Sequence, residues 1–417
     1  MKIKKLFTIP ILFLLIFAAC SSQTGQRPTG NQVIKDENIE SATETPSFES
    51  GEEATMTPVE NLSDEASPPA GALREFTTDF SIHAVPYDEI LSGGPSKDGI
   101  PAIDNPEFIS VEEADQWLDS REPVIRVTIN QAVKAYPIQI LTWHEIVNDS
   151  LGGTPIVVSF CPLCNTAIVF ERTVDDEVLD FGTSGRLRYS NLIMYDRQTE
   201  SWWQQGTGEA IVGELTGHKL ELLPAGMISW EVFKNAHPDG LVLSRETGHN
   251  RSYGRNPYPG YDDVDNSPFL YQGPEIPGAL PPVARILALE FDGQPIAYPY
   301  SVLADLQVIN DRVGEQDVVI FWVPGMASAL DTQVISDGQD VGSAIAFSRI
   351  LNGQELTFKL EGDNFIDVET GSSWDFLGNA LSGPLKGEQL NQVVALNYLW
   401  FAWAAFKPET TIYQLDL

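Results

Sequence analysis

A repeated offset constrains this chain more than any other feature it carries. Ala135-Tyr136-Pro137 returns as Ala297-Tyr298-Pro299 and Asn148-Asp149 as Asn310-Asp311, each 162 residues later. At the same offset Val157-Val158-Ser159-Phe160 faces Val319-Ile320-Phe321-Trp322, and Pro162 faces Pro324. Further on, Thr199 and Trp203 match Thr370 and Trp374 at an offset of 171, and Gly217, Trp230 and Pro238 match Gly387, Trp400 and Pro408 at 170. A register that drifts so little across Trp, Pro and Gly positions marks a duplicated unit with loop-sized insertions. The first copy runs over about 122–250 and the second over about 283–417.

Within the first copy a hairpin is expected at Val124–Ile129 and Lys134–Pro137, then a helix near Ile140–Val147. Strands are expected at Thr166–Arg172, Val178–Gly182 and Asn191–Asp196, followed by a Trp-rich turn and a helix near Ser229–Ala236. Strands outnumber helices and connections are short, so the predicted fold is α+β and β-rich, with two tandem copies of a mainly antiparallel unit. Residues 75–121 form a turn-dense lead-in, making 75–250 the lead-in plus first copy. Ser110-Val111-Glu112-Glu113 there reads as a capping box. The Pro-, Gly- and Tyr-rich stretch 251–282 connects the copies, and an ordered connection of that length tends to be functional.

Ahead of the folded body, Lys2, Lys4 and Lys5 precede a short apolar run, Leu6–Phe17, and then Ala18-Ala19-Cys20. Residues 1–20 therefore read as a secretory signal, its roughly twelve-residue apolar run too short for a span. The small residues before Cys20 resemble a lipobox, which makes Cys20 the lipidated first residue, with Phe17 in the place where Leu is usual. The expected location is extracytoplasmic, anchored by membrane lipid through the N-terminal acyl group to the cell membrane or outer membrane. Residues 21–74 are rich in Ser, Thr, Glu and Pro, bury too little apolar surface to order, and read as a disordered acidic linker. The net charge of −34 argues against nucleic acid and anionic headgroups as partners. Protein partners are not readable from the sequence.

The duplication also separates frame from chemistry. At the shared offset Cys161 faces Val323, Cys164 faces Met326, and His144 faces Leu306, while the Trp, Pro and Asn-Asp positions are kept. Cysteine and histidine are thus confined to one copy, which points to that copy as the working half. Cys161-Pro162-Leu163-Cys164 sits between two apolar runs as strand, knuckle and strand. The leading reading is a metal knuckle: Cys161, Cys164 and His144 holding zinc or copper, with His237, His218 or His249 as further ligands, for metal handling or redox chemistry. A thiol oxidoreductase is the second use of such a pair, disfavoured here because the residues after the motif read as a strand rather than a helix. A structural disulfide is the third. Glu145, next to His144, is expected to face solvent.

A separate set is expected to bind a small or carbohydrate-like ligand if the protein is a non-enzymatic binding module. It comprises Arg186 in the Gly182–Arg188 turn, Asp196, Arg197 and Gln204 in the aromatic-polar stretch after it, and Tyr253 and Arg255 in the connecting loop. Asp98 and Asp104 carry a weaker cation-binding expectation, since turn aspartates usually bond their own backbone. No GxSxG, HExxH, Walker or Rossmann pattern is present, so no catalytic class follows.

Several long motifs resemble one family. They are Asp98-Gly99-Ile100-Pro101-Ala102-Ile103-Asp104, Trp143-His144-Glu145-Ile146-Val147-Asn148-Asp149, Phe160-Cys161-Pro162-Leu163-Cys164, the run Met194–Gln204, and Tyr253-Gly254-Arg255-Asn256-Pro257-Tyr258. Over about Phe76–Asp263 the chain is similar to domain of unknown function 3179. The resemblance implies an exported, often lipid-anchored protein and supplies no activity.

Overall fold

The computed structural model describes residues 67–414. The signal segment, Cys20 and residues 21–66 of the expected linker lie outside the described residues. The ordered body begins earlier than the composition suggests. A four-residue helix, Ala72–Glu75, buries Ala72, and Arg186 bonds the Ala70 carbonyl and Glu75, so the last residues assigned to the linker belong to the fold. Among the described residues no helix is long and apolar enough to cross a membrane.

Strands dominate, and the same three-part unit is built twice. In the first copy the hairpin Pro123–Ile129 and Ala132–Pro137 is flanked by Ala225–Ser229 and by the parallel strand Leu241–Leu243, with Phe108–Ser110 from the lead-in at the edge. The second copy repeats this as Arg285–Phe291, Gln294–Pro299, Leu396–Leu399 and the parallel Thr411–Ile412. Each hairpin feeds a seven-residue helix, Ile138–His144 or Tyr300–Leu306, entered directly from a proline. Each helix gives way to an antiparallel meander: Ile146–Leu151, Thr154–Cys161 and Thr166–Glu171, or Val308–Val313, Gln316–Val323 and Ser343–Ser348. A further antiparallel sheet follows in each.

The helix expected to reach Val147 stops at His144. Glu145 has φ 60° and Gln307, its counterpart, φ 61°, so the chain turns left-handed there and Ile146-Val147 become strand. β-branched residues on a pleated, buried surface outweigh a short helical period. The segment Gly182–Arg188, expected as a turn, lies within the strand Phe181–Arg188, bulged between Thr183 and Arg186. The capping box is formed: Ser110 Oγ accepts from Glu113 N, and the Glu113 carboxylate accepts from Ser110 N.

The residues kept between copies make equivalent bonds. Tyr136 donates to Asp149 and Tyr298 to Asp311, both at 2.7 Å. Asn148 clasps the backbone of Phe181 through both amide atoms, as Asn310 clasps Phe358. Gly217 and Gly387 hold φ 94° and 93°, a left-handed turn that favours glycine at both positions. Buried Asp196 accepts the Trp203 indole N–H at 2.9 Å and the Thr199 backbone N–H at 2.6 Å, and Asp367 repeats both distances with Trp374 and Thr370.

Asp196 is therefore a turn fastener shared by both copies and not a pocket residue. Asp196→Ala and Asp367→Ala each strand a buried indole N–H and a part-buried backbone N–H, at about 1–3 kcal/mol apiece. Urea unfolding should show matching losses of at least ~2 kcal/mol in the two variants. A loss confined to one variant would show that the two turns are not equivalent.

The copies interlock. One core joins the first copy's Phe170, Met194 and Trp203 to Ile286, Ala288, Tyr398 and Trp400 of the second. A second core joins Val124, Ala135, Ile228 and Trp230 to Phe321, Phe347, Phe365 and Trp374. The hairpin sheet of each copy thus covers strands of the other. The boundary at 251–282 is crossed by these two cores, while the remaining clusters lie wholly or mainly within one copy.

Candidate functional site

The strand Thr154–Cys161 runs into a single 3-10 turn, Pro162–Cys164, and returns as Thr166–Glu171, with Cys161 paired opposite Thr166. Pro162 fixes φ at the first turn position and Asn165 closes the turn at φ 50°. That geometry aims both side chains the same way. The thiols of Cys161 and Cys164 are free, their sulfurs 3.0 Å apart, with exposures of 2% and 0%.

The two sulfurs have different surroundings. Cys164 faces a buried polar cluster: its Sγ lies 3.5 Å from the Ser190 carbonyl and accepts from Asn191 Nδ2 at 3.3 Å. Asn191 bonds Gln204 and Gln205, and Gln205 reaches Ser159 and the Thr166 carbonyl. Burial, and then the neighbouring Cys161, push the Cys164 thiol well above its ordinary range. Cys161 instead lines a cavity of about 70 Å³ together with Glu145, Arg186 and Tyr258. That is room for a few water molecules or a solute of similar size.

Glu145 is the unforeseen member. It is buried, not solvent-facing, and burial alone pushes its carboxyl up to about 8. Its position is set by the left-handed turn after the helix, where its N–H bonds Leu141 O and its carbonyl accepts Phe160 N–H. The connecting loop covers this site: Tyr258 lines the cavity, and the Tyr261 hydroxyl donates to Leu163 O at 2.9 Å. The connecting stretch 251–282 is thus placed over the motif, through residues other than the expected Tyr253 and Arg255; Tyr261 and Asn191 carry no signal in the sequence that singles them out. Glu145 was discoverable, because the same copy comparison sets it against the neutral Gln307.

The structure does not gather the expected metal set. His144 Nδ1 lies 2.7 Å from the Pro101 carbonyl, which only accepts, so that nitrogen carries the proton. Nε2 then accepts from the Tyr253 hydroxyl at 2.7 Å, and Tyr253 in turn pairs with Thr247 at 2.6 Å. Burial holds the ring neutral, its pKa pulled down to about 4. His237 is bonded by Arg126, His218 bridges Leu215 O and Asp175, and the His249 ring stands 5.5 Å from that of His144. Among the described residues no three His, Cys, Asp or Glu side chains are placed to share an ion.

Nor does the expected ligand set form one pocket. Arg186 is committed to Ala70 O and Glu75 while one edge reaches the Cys161 cavity. Arg197 bridges Asp98 and Asp104 at 3.2 Å each, which occupies both expected cation ligands with a guanidinium. Gln204 belongs to the cluster behind Cys164. Tyr253 and Arg255 line a separate open groove beside Trp143, whose indole donates to Arg255 O.

A sequence model described as "Protein of unknown function (DUF3179)" matches residues 97–410. The match takes in both copies, well past Asp263, where the motif resemblance ended. No curated protein and no solved structure matches the chain.

Proposed function

We propose that this chain, which belongs to the DUF3179 family, uses Cys161 and Cys164 as an oxidisable dithiol and acts as a thiol oxidoreductase toward a small hydroperoxide. One observation carries the reading: two free sulfurs in contact at 3.0 Å, one of them sharing a small cavity with a carboxyl group held near pKa 8. Two thiolates about 2.3 Å from one tetrahedral zinc stand roughly 3.8 Å apart, so the observed spacing favours S–S bonding over ion binding.

The chemistry follows from the two environments. Burial pushes the Glu145 carboxyl up to about 8, so the fraction ionised near and above that pH is a base able to take the Cys161 proton. The Cys161 thiolate attacks one oxygen of the hydroperoxide; an S–O bond forms, the O–O bond breaks, and the alcohol or water leaves with the proton from Glu145. The Cys164 sulfur then attacks Cys161; the S–S bond forms, the S–O bond breaks, and water leaves with the Cys164 proton. The dithiol loses two electrons and the peroxide gains them, and a small thiol donor returns the pair. The 3-10 turn already holds Cys164 against the sulfur it must attack. An exported, lipid-anchored location, which places the pair among extracellular oxidants, is part of the same proposal.

Full-length protein extracted from the membrane fraction, reduced and titrated with hydrogen peroxide, should lose both thiols per peroxide consumed, with a mass change of two hydrogens. Cys164→Ser should trap a sulfenic acid on Cys161, and dithiothreitol should restore the wild type. Stoichiometric zinc or copper in the wild type that disappears in Cys161→Ser/Cys164→Ser would overturn the redox reading. A disulfide that resists dithiothreitol would make the pair a staple. Recovery of the protein in the cytosol would overturn the location.

A further inference from the structure

A second, larger cavity opens at the interface between the copies; no cysteine lines it, although its wall residue Tyr398 belongs to the same core as Cys161 and Cys164. Its volume is about 440 Å³, within the range of small-molecule sites, and its wall is contributed by both copies. Three cations reach it, and each is already matched. Lys219 pairs with Glu209 at 3.4 Å, Lys407 with Glu290 at 2.7 Å, and Arg188 with Glu89 at 2.7 Å. Glu209 and Glu290 line the cavity themselves. An anionic ligand would find no free cation and would face two carboxylates, in a chain whose net charge is −34.

The aromatic residues of the wall have their polar atoms engaged elsewhere. The Tyr398 hydroxyl donates to Gly206 O at 2.8 Å, and the Trp403 indole N–H donates to Thr410 Oγ1 at 2.7 Å. Both rings are nearly fully buried, so the half-buried Phe406 supplies most of the ring carbon that faces the cavity. The lining therefore alternates ammonium donors and carboxylate acceptors beside apolar ring surface. A hydroxyl accepts from an ammonium while donating to a carboxylate, and the C–H groups of a sugar ring pack against aromatic carbon.

We infer that this cavity binds a neutral carbohydrate of one or two rings, held between the Lys219–Glu209 and Lys407–Glu290 pairs. The site differs from the Arg186, Arg197 and Tyr253 loops in which a sugar was first expected. It lies across the join, so an occupied site ties the two copies together. Lys219 and Glu209 form the half-exposed rim, at 56% and 50% side-chain exposure, so both can be changed without disturbing the core.

The test is calorimetric titration of the folded protein with glucose, galactose, N-acetylglucosamine, maltose and cellobiose at millimolar concentration, with unfolding temperature followed in parallel. At least one saccharide should bind the wild type and raise its unfolding temperature. The Lys219→Met/Glu209→Gln variant should unfold at the wild-type temperature without sugar and bind about tenfold or more weakly, as expected for losing hydrogen bonds to charged groups. Cys161→Ser/Cys164→Ser should bind like the wild type, which keeps this result separate from the redox proposal. Three outcomes overturn the inference: no saccharide of the panel binds, binding is undiminished in the rim variant, or benzoate binds in place of the sugars.

Discussion

Glu145→Gln should make the protein more stable at pH 9 and leave it unchanged at pH 4. The native carboxyl sits near pKa 8 against an ordinary 4.5, because burial disfavours its charged form. A raised native pKa contributes stability that is fully present below pH 4.5 and is lost as the pH rises through about 8. Every tenfold change in proton affinity is worth about 1.4 kcal/mol, so the interval amounts to roughly 3–5 kcal/mol. Glutamine does not titrate, and the other carboxylates contribute equally to both proteins, so the difference between their urea-unfolding curves isolates this one group. The second copy shows that the backbone accepts the change: Gln307 adopts φ 61°, bonds Leu303 O through its N–H, and accepts Trp322 N–H, as Glu145 does with Leu141 and Phe160. On the proposed mechanism the same variant should also slow the peroxide oxidation of Cys161, because it removes the group proposed to accept the thiol proton. Parallel pH–stability curves for the two proteins between pH 5 and 9 would sink the assignment.

The elements that hydrophobic runs and short-range turn chemistry specify were legible before the structure: the hairpins, the strand–knuckle–strand around Cys161, the capping box at Ser110 and the β-rich class. What stayed hidden depends on partners far along the chain. His144 reads as a free ligand until Pro101, 43 residues before it, and Tyr253, 109 residues after it, take both ring nitrogens. Arg197 reads as a ligand contact until Asp98 and Asp104 fold back onto it. Glu145 reads as surface because its helix was expected to continue; the left-handed turn that buries its carboxyl is a tertiary outcome. Residue identity alone did not distinguish a ligand-binding aspartate from a fastener either. Asp367 makes the same bonds as Asp196 in the copy that lacks cysteine.

Comparing the copies bond by bond refines the argument that began with two missing sulfurs. The tyrosine–aspartate, asparagine–backbone and tryptophan–aspartate contacts recur, so they maintain the frame. Three neighbouring differences, Cys161 for Val323, Cys164 for Met326 and Glu145 for Gln307, place two free thiols and one buried carboxyl on a backbone where the other copy carries Val, Met and Gln. His144 for Leu306 lies on the same helix but supports the loop through Tyr253. The site is thus a small set of substitutions on a shared scaffold. The connecting loop that follows the first copy covers it through Tyr258 and Tyr261.

Separating the copies should abolish folding of both. Two of their cores are shared: Trp230 and Ile228 of the first copy sit among Phe321, Phe347, Phe365 and Trp374, while Trp400, Phe401 and Tyr398 of the second sit among Phe170, Met194 and Trp203. Residues 67–282 expressed alone would expose one side of each shared core. Each large apolar side chain returned to water costs about 1.5–3 kcal/mol, and several per core are affected, against a net stability of about 5–15 kcal/mol for a whole protein. Neither 67–282 nor 283–417 should show a cooperative urea transition or near-ultraviolet circular dichroism of packed aromatics. Mixing the two pieces should restore both signals. Unfolding of 67–282 alone, with the midpoint of the intact chain, would mean that the first copy carries its own sufficient core. The shared packing would then be an interface between two domains instead of the interior of one.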